Sequence, residues 1–363
     1  MAAVLQTKRI DPLVTVYPGT VRVMIVDDSL TVRTVFTRMI QKEPDMAIVA
    51  SANSAERGLD ELGLHQVDVI LLDLEMPGMG GIEALPKILK AAPKAQVLVI
   101  SSLTADGAEH TVKALALGAA DTMLKPRPGG FNDDYRDTLL GKIRALAGKD
   151  MPAPEAPAKV PASPRIMGKR PEVIAIGAST GGIHALNLFL RKVPRNFDLP
   201  ILITQHLPDS FIPVFAKQME MAAGREAVLA DEGVEIRRGT IVIAPGRGHM
   251  VVRKSGTRLL TGLAYHPVKS GCMPSVDPMF ETLAEACEGR VAGVLLSGMG
   301  RDGTDGAQAI AAAGGTIYAQ NAETCAVWGM PRAVTESGLA AAVLPPEGLA
   351  ERVLASAGAS AWT

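Results

Sequence analysis

Cysteine is scarce in this 363-residue chain, which carries only Cys272, Cys287 and Cys325. Odd in number and without CxxC spacing, the three exclude a disulfide framework. They read as reduced thiols used for packing rather than as metal ligands. A charge excess of either sign is also missing. Lys and Arg total 37 against 38 Asp and Glu, for a formal net charge of −1. No global attraction to nucleic acid or to an anionic membrane is expected from that balance. Long apolar runs are absent too: none reaches the ~18–20 residues needed to span a bilayer. The opening stretch MAAVLQTKRIDPL lacks the apolar segment of a secretion signal. The expectation is a cytoplasmic protein with no direct membrane insertion and no nucleic-acid partner.

What is present is globular. Apolar residues make up 47% of the chain and charged residues 21%, a balance that suits packed α/β units. The length exceeds one ordinary core, so two domains are expected. The seam is AGKDMPAPEAPAKVPASPRIMGKR, with Pro152, Pro154, Pro157, Pro161 and Pro164 and no apolar periodicity. Such a stretch forms a semi-extended linker over residues 147–170. It separates a first domain at 21–146 from a second at 171–363.

In the first domain, short apolar runs at 21–26, 46–50, 69–72, 96–100 and 121–124 alternate with amphipathic stretches at 30–41, 82–92 and 108–117. Five strands so spaced imply a doubly wound parallel sheet with its site at the strands' carboxyl ends. Asp27 and Asp28 follow the first strand and Asp73 closes the third, so the three converge at one edge. Carboxylates at that density need a cation, and hard oxygen ligands suit Mg²⁺. Ser101 ends the fourth strand and Lys125 follows the fifth, adding a hydroxyl and an ammonium that complement a phosphoryl group. The chemistry this suggests is attack by Asp73 on a phosphoryl donor to form an acyl phosphate. The plainer alternative is strand-end caps and a solvated lysine, which five residues in this order make a poor account.

These residues make the first domain resemble a response-regulator receiver, a five-stranded flavodoxin-like fold. The resemblance implies Asp27 and Asp28 as the acidic metal-binding pair and Asp73 as phosphoacceptor. It further implies Ser101 as the switch hydroxyl, Lys125 as the phosphate-sensing cation, and the Glu75 backbone carbonyl as a further metal ligand. Met123 is read as replacing the aromatic usual on the fifth strand.

The second domain opens with VIAIGASTGG at 173–182: a buried strand, a tight turn and a helix start. That turn holds Ser179 at the mouth of a sheet beside backbone N–H groups of a helix N-terminus. A serine there can be a nucleophile with its oxyanion met by those groups, a helix cap, or part of a phosphate cradle. A strand at 201–204 ends in Gln205-His206, making His206 the candidate general base. His184, His249 and His266 compete, of which His184, on the helix after the turn, and His266, among loop residues, are the weaker. After the strand at 291–296, the Gly-rich loop SGMGRDGTDG offers Asp302 and Asp305 as orienting acid or as helix caps. Backbone N–H groups near Met299 and Gly300 can serve an oxyanion. Further strands are expected at 241–244 and 316–319, with a small antiparallel element within 228–263.

GASTGG, QHLP and SGMGRDG, together with PSVDPMF and VWGMPRAV, resemble the chemotaxis protein-glutamate methylesterase family, CheB. The resemblance implies a Rossmann-like hydrolase domain with Ser179 as nucleophile, His206 as base and Asp302 as orienting acid. Thr180 and Met299 would stand beside them, and SGCMPSVDPMF would form a loop and helix at the site. It implies hydrolysis of glutamate γ-methyl esters on methyl-accepting chemoreceptors and deamidation of receptor glutamines. A chemotaxis histidine kinase would be the phosphodonor, the receiver an autoinhibitor, and no cofactor would be needed for the esterase. A pure receptor adaptor would tolerate loss of Ser179, His206 and Asp302, yet all three are present. A transcription factor would need a basic recognition helix that the chain does not offer.

Overall fold

The structure, a computed structural model, describes residues 19–102, 104–126, 130–148 and 168–358. The chain divides into two compact units, Met1–Ala153 and Pro154–Thr363. The linker expected at 147–170 falls largely outside the described residues, as do most of residues 1–20 and the last five.

The first unit runs β1 (Val21–Val26), α1 (Leu30–Ile40), β2 (Met46–Ala52), α2 (Ala55–Leu64), β3 (Val69–Asp73), α3 (Gly81–Ala91), β4 (Gln96–Ser101), α4 (Ala105–Leu117), β5 (Asp121–Leu124) and α5 (Asp133–Leu146). Its five strands are all parallel in the order β2-β1-β3-β4-β5. Helices cover both faces, which is why β3 can be buried at every one of its positions, VILLD. Ser29, Ser54, Thr104 and Asn132 cap α1, α2, α4 and α5 through their side chains, so short polar residues fix where these helices begin. Strand order reverses between β1 and β3, so the crevice opens beside Asp27 and Asp73.

The second unit contains β6 (Val173–Ala178), α6 (Gly182–Arg191), β7 (Ile201–Gln205), α7 (Ile212–Ala223), β8 (Ala227–Leu229), β9 (Ile241–Ile243), β10 (His249–Ser255), β11 (Arg258–Ala264), α8 (Val276–Ala286), β12 (Val291–Leu295), α9 (Thr304–Ala312), β13 (Thr316–Gln320), α10 (Met330–Glu336), β14 (Ala340–Leu344) and α11 (Pro346–Ser356). Seven strands form one parallel sheet ordered β14-β13-β12-β6-β7-β9-β8. The antiparallel element expected in the middle is the β10–β11 hairpin. It is tied to α8 by the Val252 N–H, which donates to Thr282 Oγ1 at 3.0 Å. The core between sheet and helices is built from Val173, Leu202, Val276, Met279, Phe280, Leu283, Leu295 and Ile310. Here the order reverses between β6 and β12, so the loops after β6, β7 and β12 meet at one crevice. No helix among the described residues is long and apolar enough to cross a membrane.

Candidate active site

Ser179 leaves β6 through a turn that only a particular backbone allows. Gly181 caps α6 with φ +77, in the left-handed region where L side chains are strained. The turn is pinned from two sides: the Ser179 N–H donates to the Ser297 carbonyl at 3.0 Å, and Gln205 Nε2 donates to the Ser179 carbonyl at 2.9 Å. Ser297 Oγ donates to the Thr180 carbonyl at 2.7 Å and accepts from the Val327 N–H. The serine is thus held by a buried frame before any catalytic contact is made.

His206 ends β7, and its Nδ1 lies 3.1 Å from Ser179 Oγ. Its Nε2 lies 2.8 Å from Asp302 Oδ2. Asp302 is ionised and can only accept, so the neutral ring carries its one proton on Nε2 and leaves Nδ1 to accept from the serine. Asp302 itself is 1% exposed. It accepts from Ser275 Oγ at 2.6 Å and from the Val276 N–H at 2.7 Å. Asp302 therefore faces the N-terminus of α8, whose first-turn N–H groups favour an anion. It does not cap α9: Gly303 occupies that position, and Asp277 Oδ1 accepts from the Gly306 N–H instead.

Burial disfavours the charged form of both partners, but their contact outweighs it. The His206 ring is raised to about 9 by Asp302 and by the Cys272 thiol. Asp302 is held well below the usual carboxylate range by His206, Ser275 and the Val276 N–H. Met299 and Gly300 lie in the loop after β12. That loop passes so close to Ser179 that a Cβ at Gly298 would stand 2.9 Å from Ser179 Cβ.

The competing histidines take other places. His249 is fully buried, its Nδ1 accepting from the Ser275 N–H at 3.0 Å and its Nε2 donating to the His266 carbonyl at 3.0 Å. It steadies the residue that steadies Asp302. Asp305 pairs with Lys269 at 2.6 Å. Ser275, Gln205 and Ser297 escape sequence reasoning, because each acts through contacts with residues distant in the chain. Cys272 also differs from the packing role expected of it: it is half-buried, and its ligand atom lies within 4.8 Å of those of His206 and Asp302.

In the first unit, Asp27, Asp28 and Asp73 bring one carboxylate oxygen each within 4.8 Å of one another. Asp27 is 2% exposed and Asp73 is fully buried. Asp27 Oδ2 is buried with no hydrogen-bond partner, an orphaned anionic oxygen that a divalent cation would satisfy. Burial pushes Asp73 up to about 6 against the opposing hydrogen bond from Lys125, whose Nζ lies 2.6 Å from Asp73 Oδ2. The Glu75 N–H donates to Asp73 Oδ1 at 2.9 Å. Ser101 is buried at the end of β4, with Oγ 3.5 Å from Thr122 Oγ1. The β5 side chain beside the switch position is therefore Thr122. Met123, on the alternate face, is a core residue at 6% exposure.

Residues 174–353 match the family described as CheB methylesterase, and residues 23–130 match the response regulator receiver domain. A protein-glutamate methylesterase/protein-glutamine glutaminase of Rhodospirillum rubrum is 40% identical, the alignment covering 93% of this chain and 96% of the relative. One from Caulobacter vibrioides is 44% identical over 89% of this chain and 95% of the relative. The crystal structure of the Thermotoga maritima CheB methylesterase catalytic domain superposes with a TM-score of 0.50 at 33% identity, covering 51% of this chain and 98% of that one. The class is thus a two-domain response regulator whose effector is a parallel α/β hydrolase domain. Within that class the chain belongs to the CheB methylesterase family.

Proposed function

We propose that this chain is a phosphorylation-activated methylesterase that hydrolyses glutamate γ-methyl esters on chemoreceptors and deamidates receptor glutamines, serving adaptation in chemotaxis. The observation that carries the reading is the continuous Ser179–His206–Asp302 hydrogen-bond chain, at 3.1 and 2.8 Å, where three strand ends meet. The names of the relatives supply the substrate class. Absence of a membrane-crossing helix among the described residues agrees with a cytoplasmic enzyme acting on the receptors' cytoplasmic face.

Ser179 Oγ attacks the γ-carbonyl carbon as its proton passes to His206 Nδ1, and Asp302 stabilises the imidazolium formed. The oxyanion is met by backbone N–H groups of the Thr180 turn and the Met299–Gly300 loop. Collapse breaks the bond to methoxide, which leaves as methanol with the His206 proton; a glutamine loses ammonia in the same way. Water, deprotonated by His206, then releases the glutamate and restores Ser179.

In the receiver, an Asp73 oxygen attacks phosphorus of a phosphohistidine on the kinase, forming an O–P bond as the N–P bond breaks. Asp27, Asp28, Asp73 and the Glu75 carbonyl would hold Mg²⁺, whose charge offsets that of the phosphoryl group. Ser101 and Lys125 then bind the phosphoryl oxygens. The test is methanol release from methylated receptor, with and without phosphodonor. Failure of phosphodonor plus Mg²⁺ to accelerate release removes the regulatory half of the reading.

A further inference from the structure

We propose that His206, Cys272 and Asp302 form an inhibitory site for a soft divalent cation of the zinc class. This rests on His206 being the general base and names a regulation of that same site. The three residues offer an imidazole nitrogen, a thiol sulfur and a carboxylate oxygen, all within 4.8 Å of one another. That donor set, with one position left for water, is the kind that zinc takes tetrahedrally, while Mg²⁺ prefers all-oxygen surroundings. The receiver's three carboxylates are the contrasting hard site, so the chain would sort two cations by ligand chemistry.

The surroundings favour coordination. Asp302 is already oriented by Ser275 Oγ at 2.6 Å and the Val276 N–H at 2.7 Å, and such outer contacts fix a ligand before a metal arrives. Cys272 lies in the stretch before α8, where its Sγ contacts the Ser270 carbonyl at 3.8 Å and also reaches the His206 ring. Cys272 is half-buried and the His206 side chain keeps 15% of its surface exposed, which leaves both open to an ion from solvent. The present His206–Asp302 separation of 2.8 Å is that of a hydrogen bond. Ligands ~2 Å from a tetrahedral metal stand slightly farther apart, so a small opening of the pair admits the ion.

The inhibition follows from the proton balance. On binding, the Cys272 thiol releases its proton to solvent and an S–metal bond forms. The ring nitrogen facing Asp302 gives its proton up for the metal, and the ring takes its one proton on the nitrogen facing Ser179. His206 then donates to the serine and can no longer accept from it. The nucleophile is left intact but without a base.

The experiment uses the full chain with excess Mg²⁺. Zn²⁺ is titrated into the methanol-release assay, and in parallel Co²⁺ is titrated without substrate while the thiolate-to-metal absorption band is followed. Cys272→Ser should weaken half-inhibition by Zn²⁺ by at least the roughly 10–100-fold that even an outer contact costs. It should also abolish the cobalt band, whereas Cys287→Ser and Cys325→Ser should change neither. Ser179→Ala, inactive under the functional reading, should keep the band. An active Ser179→Ala would therefore overturn that reading while the band still judges the metal site. Unchanged Zn²⁺ inhibition in Cys272→Ser, absence of any inhibition in the parent chain, or a cobalt band that survives Cys272→Ser each overturns the proposal.

Discussion

Ser179 is placed by contacts that do not involve its own hydroxyl. Its N–H and carbonyl are both held by neighbours, so removing Oγ leaves the turn intact. Ser179→Ala should then fold normally, with the same thermal midpoint, while losing roughly 10⁴-fold or more in ester hydrolysis. Near-normal turnover in that folded variant would refute the nucleophile assignment. His206 gives a second prediction at this scale. A base works only as the neutral ring, and Asp302 and Cys272 raise the ring to about 9. The acid limb of kcat/KM should therefore lie above pH 6.5 and climb toward the alkaline side. Asp302→Asn removes the anion that favours the imidazolium, so its limb should move to lower pH even as kcat falls by up to about 10⁴-fold through the wrong tautomer. A limb that stays in place in the variant would show that Asp302 does not set the His206 titration.

Elements bring these residues together, and here the limits of reading a sequence become physical. The strand interiors are legible because parallel strands buried on both faces are apolar runs, as in VILLD and VIAIGA. Their ends are less so: Asp73, Ser101, Gln205 and Gln320 continue the ladder although they are polar. The strand ends at the two candidate sites are the ones where composition stops marking the strand. Edge strands β8 and β14 also escape, since AVL and AAAVL are short runs of which no residue is fully buried. Ser275 lies 27 positions from Asp302, and only the packing of α8 against the sheet brings the pair together. A third prediction follows from the loop after β12. A methyl at Gly298 would stand 2.9 Å from Ser179 Cβ and 2.4 Å from Met330 Sδ. Met330 can shift its sulfur, but the pinned serine can yield only by leaving its place beside His206. Gly298→Ala should keep the fold and lower kcat about 10²-fold, the usual result of a misplacement near 1 Å. Unaltered kcat with normal KM would show that the approach of the loop to Ser179 is slack.

At the scale of the molecule, two sites of different chemistry share one chain. The receiver pocket carries its own stability signature. Asp73 is raised to about 6 in the folded protein, above its ordinary value of 3.8. The folded state therefore binds more protons than the unfolded one between those values, and this carboxylate's contribution to stability declines as pH rises through that window. Mg²⁺ would offset the same cost of burying the Asp73 charge, so it should raise the thermal midpoint of the receiver's transition at pH 7 and do so much less at pH 4. Asp73→Asn should blunt both effects and abolish acyl-phosphate labelling; retention of label would move the phosphoacceptor elsewhere.

Coupling between the two units is the remaining question, and it can be posed with the catalytic unit alone. The superposed Thermotoga maritima structure is of a catalytic domain by itself, which makes a fragment beginning near Lys169 a reasonable folding unit. If the unphosphorylated receiver restrains the esterase, that fragment should hydrolyse receptor methyl esters faster than the intact chain. On that reading the intact chain exchanges between a restrained and an unrestrained state. Phosphorylation can shift that balance only by stabilising one arrangement more than the other. Phosphodonor should accordingly raise the rate of the intact chain toward that of the fragment and leave the fragment unchanged. Asp73→Asn should stay at the restrained rate whether or not donor is present. A fragment no faster than the intact chain, together with full activation of Asp73→Asn, would remove the inhibitory role of the receiver while leaving the Ser179–His206–Asp302 chemistry to stand on its own tests.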